Sequence, residues 1–422
     1  MGKYLDLMTQ PEALYKSMLK CSKESYWKES VQKVSINEIA NIFNLRNELL
    51  NGTYKQKGFH TFTIHERGKT RCIRSIHVID RIVQRSMCDY VLLPVLRKYL
   101  IYDNGASLKD KGVDFTRKRL KSHLEKFKRE YGTNGYVLLL DFSKFFDNIP
   151  HDKLIEMIRP YFEKEDKEFW KLLVYLIGTF TVDVSYMSDE EYAHINDKPF
   201  DSNVHTFKRK QSKVYGKKFF HKSLGIGSQI SQIFGLFYPT QIDNYCKIVE
   251  GLKYYGRYMD DIYIIHHDKN YLKKLAKKLY ALSREMGMFI NQTKTQIIKL
   301  TSTFIFMKHK YRITKSGKIK IRSSSERYRR ELIKLRKYKK LLNNKRLSFI
   351  EILNAYSSWS GQFSNILGAK SIHKLDTSFF LIYHNEINKS RMLYKANMLY
   401  MKDIFLCLKM MNECVSNKEY LI

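Results

Sequence analysis

The stretch GRYMDDIYIIHH, residues 256–267, places two adjacent carboxylates between two apolar, β-prone runs. Strand interiors disfavour aspartate, and like charges at neighbouring positions repel each other. The pattern therefore predicts a β-hairpin whose turn projects Asp260 and Asp261. An unpaired buried charge is too costly to persist, so a cation is expected between the carboxylates.

A third acid stands at the end of another apolar run. YVLLLDFSKFF (136–146) is typical of a buried strand, and it ends its apolar part at Asp141. Mg²⁺ prefers carboxylate oxygens together with substrate phosphates. Two ions held by three carboxylates could clamp an in-line phosphoryl displacement. A lone Asp-Asp pair in a turn is usually a solvated surface pair, but the apolar flanks and Asp141 favour a metal site for two Mg²⁺ ions, with Mn²⁺ as an alternative.

Composition indicates a polyanionic partner. The 422 residues carry a formal net charge of +34, and 30 Tyr and 25 Phe supply faces on which bases can stack. A lysine-rich proteome is the alternative explanation. The six cysteines are scattered without a CxxC pair, which disfavours a zinc site or a disulfide framework. No apolar run predicts a membrane span or a signal peptide, so a cytoplasmic location is expected.

The order of elements predicts a mixed α+β protein of two or three domains. Residues 1–60 are predicted to be helical, 59–78 to form a hairpin, and 184–222 to be an insertion or long loop. Further helices are expected at 80–100, 112–132, 229–249 with a break near Pro239, and 270–287, with strands around 295–321. From 323 onward the chain is helical in pattern and very basic.

Five segments of the chain resemble segments of one protein family, and they follow one another in that family's order. They are RGKTRCIRSIHVIDRIVQRSM (67–87), LLLDFSKFFDNIPHDKL (138–154), YMDD (258–261), MGMFINQTKTQII (286–298) and TFIFMKHKYRIT (303–314). Together they resemble bacterial retroelement-type reverse transcriptases, most of all the stand-alone defence-associated ("unknown group") enzymes. The resemblance implies a right-hand polymerase: an N-terminal extension (1–60), fingers (61–135), a palm of antiparallel sheet and helices (136–321) and a helical thumb with the C-terminal region (322–422).

The resemblance also implies roles for individual residues. Asp141, Asp260 and Asp261 would be catalytic and, with the backbone of Phe142, would bind the metal ions. The nucleotide would be bound by Lys69, Arg71, Arg74, Phe142, Phe146 and Gly227. Phe146 would be a steric gate that leaves no room for a 2′-hydroxyl; a core position is the alternative, and Phe145 could hold that core position instead. Solvated turn charges are the alternative for Lys69, Arg71 and Arg74.

The second palm segment departs from the common P-Q-G pattern. LGIGSQISQIFG (224–235) has Ile226 in place of that Gln and is closer to the I-G-N-x-x-S-Q pattern of diversity-generating retroelement enzymes, with Ser228 replacing Asn. Altered fidelity is the resulting hypothesis. Contacts with template or primer are predicted for Ile226, Ser228, Gln229, Tyr258 and Met259.

The thumb segment supplies a second predicted nucleic-acid surface. Residues 326–346 contain ten Lys or Arg on a helical pattern, and like charges at i,i+4 repel unless phosphates neutralise them. The predicted contacts are Arg327, Arg329, Arg330, Lys334, Arg336 and Lys337. Trp359 would be a stacking platform or a core residue.

These observations predict an RNA-directed DNA polymerase that copies a bound structured noncoding RNA into cDNA from dNTPs, in the cytoplasm of a bacterium and in antiphage defence. Three alternatives remain: a mutagenic enzyme of a diversity-generating retroelement, a polymerase with untemplated or protein-primed synthesis, and a catalytically idle RNA-binding scaffold. The template, the primer and the oligomeric state are not indicated by the sequence.

Overall fold

The structure, a computed structural model, describes most of the chain. It covers residues 2–23, 25–66, 69–211, 214–323, 325–363 and 369–396; within these ranges the side chains of 66, 69–72, 210–211, 323, 325–327, 362–363, 369–372 and 391–396 lie outside the description. The chain divides into two compact units, residues 1–301 and residues 302–422. Each unit has an apolar core of its own.

The first unit begins with four helices, as the sequence predicts. They are α1 (Lys3–Thr9), α2 (Pro11–Ser22), α3 (Glu29–Ile36) and α4 (Glu38–Leu50). Pro11 is the first residue of α2, where its missing N–H would have had no partner in the helix. Leucine, valine and methionine side chains of these helices are buried in the large core of the unit.

The predicted hairpin follows. Strand β1 (Phe59–Glu66) pairs antiparallel with β2 (Lys69–Ile76), from Phe59 opposite Ile76 to Glu66 opposite Lys69. The chain continues into α5 (Val78–Met87), a π-helical turn at Cys88–Leu92, the short α6 (Leu93–Leu96) and, later, α7 (Val113–Tyr131). The helices predicted at 80–100 and 112–132 are thus confirmed, the first with an irregular second half.

A four-stranded antiparallel sheet forms the middle of the unit. Its four strands are β3 (Tyr136–Asp141), β6 (Tyr255–Tyr258), β7 (Asp261–His266) and β8 (Gln296–Lys299). The elements that lie between these strands in the chain are α8 (His151–Phe162), α9 (Lys167–Gly178), β4 (Val182–Asp183), α10 (Asp189–Ala193), α11 (Ser202–Gln211), β5 (Phe219–Phe220), α12 (Gln229–Phe237), α13 (Thr240–Asn244) and α14 (Lys269–Glu285). The strand order is β6-β7-β3-β8. β3 lies between two partner strands, and Val137, Leu138 and Leu140 of its apolar run are buried.

The segment 184–222 differs from the predicted loop. It contains α10 and α11, and β5 pairs with β4. Tyr186, Phe200 and Phe220 pack into a small cluster separate from the main core. The polar composition hides this cluster because seven buried apolar side chains, three of them aromatic, are enough to fill it.

The second unit combines a small sheet with long helices. Its elements are β9 (Phe304–Phe306), β10 (His309–Ile313), β11 (Ile319–Ser323), α15 (Ser325–Asn343), α16 (Phe349–Phe363) and α17 (Ala369–Ala396). The sheet order is β11-β10-β9, and Leu335, Ile352 and Phe379 join the three helices in one core. The assignment of residues up to 321 to the palm stays a prediction; the three strands belong to this second compact unit. Within the described ranges, no helix combines the length and apolarity needed to cross a bilayer.

Candidate active site

Strand pairing brings the three predicted aspartates together. Asp141, the last residue of β3, lies directly opposite Asp261, the first residue of β7. Directly opposed residues of an antiparallel pair have Cβ atoms about 4.5–5.5 Å apart and project from the same face of the sheet. Asp260 precedes Asp261 in the two-residue loop between β6 and β7. The carboxylates therefore lie at one edge of the sheet although about 120 residues separate them in the chain.

The electrostatics of the loop reflect this crowding. Burial raises the pKa of Asp260 above its ordinary value, and the neighbouring charge of Asp141 raises it further. Burial also raises the pKa of the Tyr258 hydroxyl, and Asp260 and Asp261 add to that shift. When these carboxylates are ionised, their negative charges repel one another, and a nearby positive charge would stabilise them.

Lys294 supplies one such charge. Its ammonium contacts the Asp141 carboxylate, which raises the pKa of Lys294, and Asp260 and Asp261 raise it further. The turn that carries Lys294 is held by Asn291, whose side chain accepts hydrogen bonds from the Thr293 hydroxyl and from the Lys294 backbone N–H (3.2 Å). Lys294 lies in one of the five family-like segments, MGMFINQTKTQII (286–298), but nothing in the sequence singles it out.

A buried ion pair lies behind the turn. The Arg257 guanidinium donates to Asp243 at 2.6 and 2.8 Å, and both side chains are fully buried. Arg257 also donates to the backbone carbonyls of Met259 (3.0 Å) and of Leu236 (2.8 Å). Met259 has a φ of +54°, a left-handed conformation that is unfavourable for a residue other than glycine. The guanidinium therefore fixes the turn from inside, a role that the sequence analysis missed.

The two neighbouring phenylalanines have different environments. Phe145 is buried in the core, whereas Phe146 is half-buried and packs edge-on against it, with ring centroids 5.1 Å apart. A Cβ added at Gly235 would lie 2.8 Å from the Phe146 ring and 3.3 Å from Sδ of Met259, so glycine lets α12 approach both. This placement agrees with the interpretation that Phe145 is the core residue and leaves Phe146 available as a gate.

The residues of the second palm segment (224–235) differ in exposure: Ile226 faces solvent, whereas Ser228 is buried. Ile226 is exposed (37%), and Gly227 has a φ of +112° that favours glycine. Ser228 is buried, begins α12 by accepting the Ser231 N–H, and donates its hydroxyl to Gln84 at 2.7 Å. Its side chain thus stabilises the fold locally, and contact of Ser228 or Gln229 with a template stays a prediction.

Other predicted residues are placed as follows. Arg74 donates to the backbone carbonyls of Phe180 (3.1 Å) and Thr181 (3.3 Å). Tyr258 and Met259 pack against a small cluster that includes Leu236. The side chains of Lys69 and Arg71 lie outside the described part of the structure, so their contacts with a nucleotide stay predictions.

The basic helix α15 presents most of its predicted contacts to solvent. Arg329, Arg330, Arg336 and Lys337 are exposed, and Lys334 is half-buried beside Glu331 (3.1 Å). Trp359 is half-buried against the core of the second unit. The side chain of Arg327 is outside the described residues.

The residues at the sheet edge fit a divalent cation. The chemistry of the donor set, three carboxylates with a backbone carbonyl at Phe142, is that preferred by Mg²⁺ and Mn²⁺. In the described ranges, however, no three carboxylate, imidazole or thiolate groups are already gathered as a metal site. The Lys294 ammonium holds the Asp141 carboxylate instead, and it would have to be displaced.

An antiparallel sheet that presents aspartates at the turn of one hairpin and at the end of the adjacent strand defines the palm of a nucleotidyl-transferring polymerase. Within that class, the family model for reverse transcriptase (RNA-dependent DNA polymerase) matches residues 55–309. The chain therefore belongs to the reverse transcriptase family. No curated protein matches it.

Two solved structures overlap with the chain at low sequence identity. One is apo telomerase from Candida tropicalis truncated from the C-terminal domain, with 15% identity, a TM-score of 0.43, and coverage of 62% of this chain and 54% of that chain. The other is telomerase from Candida albicans in complex with a TWJ fragment of telomeric RNA, with 12% identity, a TM-score of 0.41, and coverage of 82% and 65%. The chain spans less than two thirds of the length of either.

Proposed function

We propose that this protein is an RNA-directed DNA polymerase that copies a bound structured noncoding RNA into cDNA and acts in bacterial antiphage defence. The observation that carries the enzymatic part is the register of the sheet, which sets Asp141 opposite Asp261 with Asp260 beside them. A catalytically idle scaffold would gain nothing from three mutually repelling carboxylates at one edge.

Each residue of the edge has a part in the reaction. Asp141, Asp260, Asp261 and the carbonyl of Phe142 would hold two Mg²⁺ ions. Bound there, the ions would favour ionisation of a primer 3′-hydroxyl and neutralise the triphosphate charge. Arg257 and Asp243 keep the turn in place from inside, and Phe146 would exclude the 2′-hydroxyl of a ribonucleotide.

The polymerase proposal is tested by a double substitution, Asp260→Asn with Asp261→Asn. Primer extension with labelled dNTPs on an RNA template should be abolished, while RNA binding measured by filter retention should persist. The matched control is Asp189→Asn with Asp197→Asn, which changes the net charge equally at two exposed positions of the 184–222 insertion. DNA synthesis by the Asp260/Asp261 variant would refute the assignment.

The structured RNA and the defence role are supported by the charge of +34 and by the insertion at 184–222. Sequencing the RNA and DNA that co-purify with the protein from its host should yield one discrete RNA and its complementary cDNA. Phage plating on cells that carry the wild-type or the doubly substituted protein tests defence, and equal plating would contradict it.

A diversity-generating role is the second candidate. The I-G-S-x-x-S-Q sequence at 226–232, in which Gln is absent from the P-Q-G position, favours it. A template and variable repeat pair beside the gene, with elevated errors in the cDNA, would support this candidate over defence.

A further inference from the structure

A polar cavity lies in the first unit beside Gly227, and none of the three aspartates lines it. Its volume is about 230 Å³, and α2, α5, Gly227 and the start of α12 enclose it. We name it the Gln84 cavity. Its lining is formed mainly by charged and amide side chains, so it is not a site for an apolar ligand.

Positive charge exceeds negative charge around this cavity. Lys20 and Arg85 both contact the Asp89 carboxylate, each at 2.8 Å, and Arg81 donates to the backbone carbonyl of Cys21 at 3.0 Å. Two of these three cations pair with the one carboxylate, and among the described residues the third, Arg81, pairs with none of the carboxylates that line this region. All four charges act on the pKa of the buried Cys21 thiol, which shows that they surround one small region.

The Gln84 side chain provides an independent sign of a missing ligand. Only 1% of this residue is exposed. Its Oε1 accepts the Ser228 hydroxyl, but its Nε2 has no hydrogen-bond partner among the described residues. A buried amide group without a partner is costly, and in native structures such a group usually marks an ion, a water or a ligand that completes it.

We propose that the Gln84 cavity binds a phosphate group of a nucleotide. Arginine, lysine and amide N–H groups are the donors that phosphate oxygens accept from, and an anion would neutralise the excess charge. Gly227, which has no side chain, leaves its backbone accessible beside the cavity. The choice of a nucleotide rests on the proposed function; the choice of a phosphate rests on the donors alone.

Two sources share this chemistry: the backbone of a single strand and a free nucleoside triphosphate. Fluorescence anisotropy distinguishes them with two probes, fluorescein-labelled decauridylate and a fluorescent dATP analogue. Binding is measured in EDTA, so the polymerase reaction does not contribute. Primer extension by the Asp260→Asn, Asp261→Asn variant is measured separately, so failure of the proposed catalysis is distinguished from failure at the cavity.

The test variants are Gln84→Met, which removes the unpartnered donor, and Lys20→Gln. Lys16→Gln is the matched control, because it removes the same charge one turn earlier on α2, where Lys16 pairs with Glu12. If a strand backbone occupies the cavity, Gln84→Met should weaken decauridylate binding about tenfold, since its donor meets a charged oxygen. Lys20→Gln should lower the salt slope by about 0.7, and Lys16→Gln should change neither value.

If a free nucleotide occupies the cavity, the same losses appear with the dATP analogue only. Either pattern supports the phosphate site. Unchanged affinity of Gln84→Met and Lys20→Gln for both probes overturns the proposal. Lys20 is half-exposed, so Lys20→Gln remains a valid test if thermal unfolding shows that Gln84→Met does not fold.

Discussion

Replacing Arg257 by methionine is the sharpest test of how the turn that carries Asp260 is held. The substitution leaves the fully buried Asp243 without its counter-ion, with the Tyr255 hydroxyl as its remaining donor, and leaves the carbonyl oxygens of Met259 and Leu236 without the guanidinium. Breaking a buried ion pair on one side costs about 3–5 kcal/mol, because the remaining charge is neither solvated nor paired. Both stability and activity should therefore fall.

The size of the first unit sets the decrease in Tm that corresponds to this loss of unfolding free energy. Unfolding entropy is about 2.1 cal/mol/K per residue, so a unit that spans residues 1–301 shifts its midpoint by roughly 1.6 °C for each kcal/mol. A loss of about 3–5 kcal/mol then corresponds to a decrease in Tm of about 5–8 °C. Differential scanning calorimetry of the full chain measures this shift, since each unit has its own core and can give its own transition.

A second variant separates stability from catalysis. Arg257→Met combined with Asp243→Leu removes both charges, and replacing a buried ion pair by apolar residues is often close to neutral for stability. The double variant should recover most of the Tm but not the rate of primer extension, because nothing then holds the Met259 carbonyl. A Tm decrease below about 1 °C for Arg257→Met would refute the ion-pair argument, and full polymerase activity of the double variant would refute the role at the turn.

Four further predictions follow from single sites. Phe146→Ala should reduce discrimination against ribonucleotides at least about tenfold, equivalent to about 1.4 kcal/mol, in competitive incorporation assays; unchanged selectivity would assign Phe146 to the core. Ile226→Gln should change the error spectrum of the cDNA under identical conditions, and identical spectra would reject a fidelity role. Lys294→Met should lower the Mn²⁺ concentration at half-saturation in a metal titration, because a competing ammonium is removed; a higher value would contradict this. Burial lowers the pKa of His123 to about 4, so the unfolded chain binds a proton below about pH 6.5 that the native protein excludes until about pH 4. The free energy of unfolding should therefore decrease as the pH falls from about 6.5 to about 4, and His123→Gln should flatten this decrease in pH-dependent unfolding.

Much of the sheet could be predicted because its signal is local. The apolar run that ends at Asp141 and the two runs around Asp260 each predict a strand, and the structure confirms all three strands and the turn. Placing them side by side required the resemblance to a family, since nothing in a single strand states its partner. The register that sets Asp141 opposite Asp261 is a property of the sheet and becomes visible only in the structure.

The residues that were missed act through long-range charge pairing. Arg257 and Asp243 are charged residues inside apolar segments, which was the one available signal, but no local pattern says that they contact each other. Lys294 looks like any surface lysine in the sequence, and it reaches Asp141 because the chain before it pairs with the end of β3, with Asn291 N–H donating to the Asp141 carbonyl at 2.7 Å. Such contacts depend on tertiary placement and not on composition.

The two cations near the aspartates, Lys294 and Arg257, differ in burial, and this difference matters for metal binding. The Lys294 side chain is 57% exposed, and an exposed ion pair of this kind contributes about 0–1 kcal/mol, so the cost of displacing it is small. Arg257 is fully buried, and removing its partner would cost several times more. A divalent cation that enters the site can therefore replace Lys294 at Asp141 but cannot disturb Arg257. The Arg257–Asp243 pair that positions the turn of Asp260 thus stays fixed, while the Lys294 ammonium beside Asp141 is exchangeable. A polymerase needs this arrangement if its metal ions arrive with the nucleotide and leave with the product.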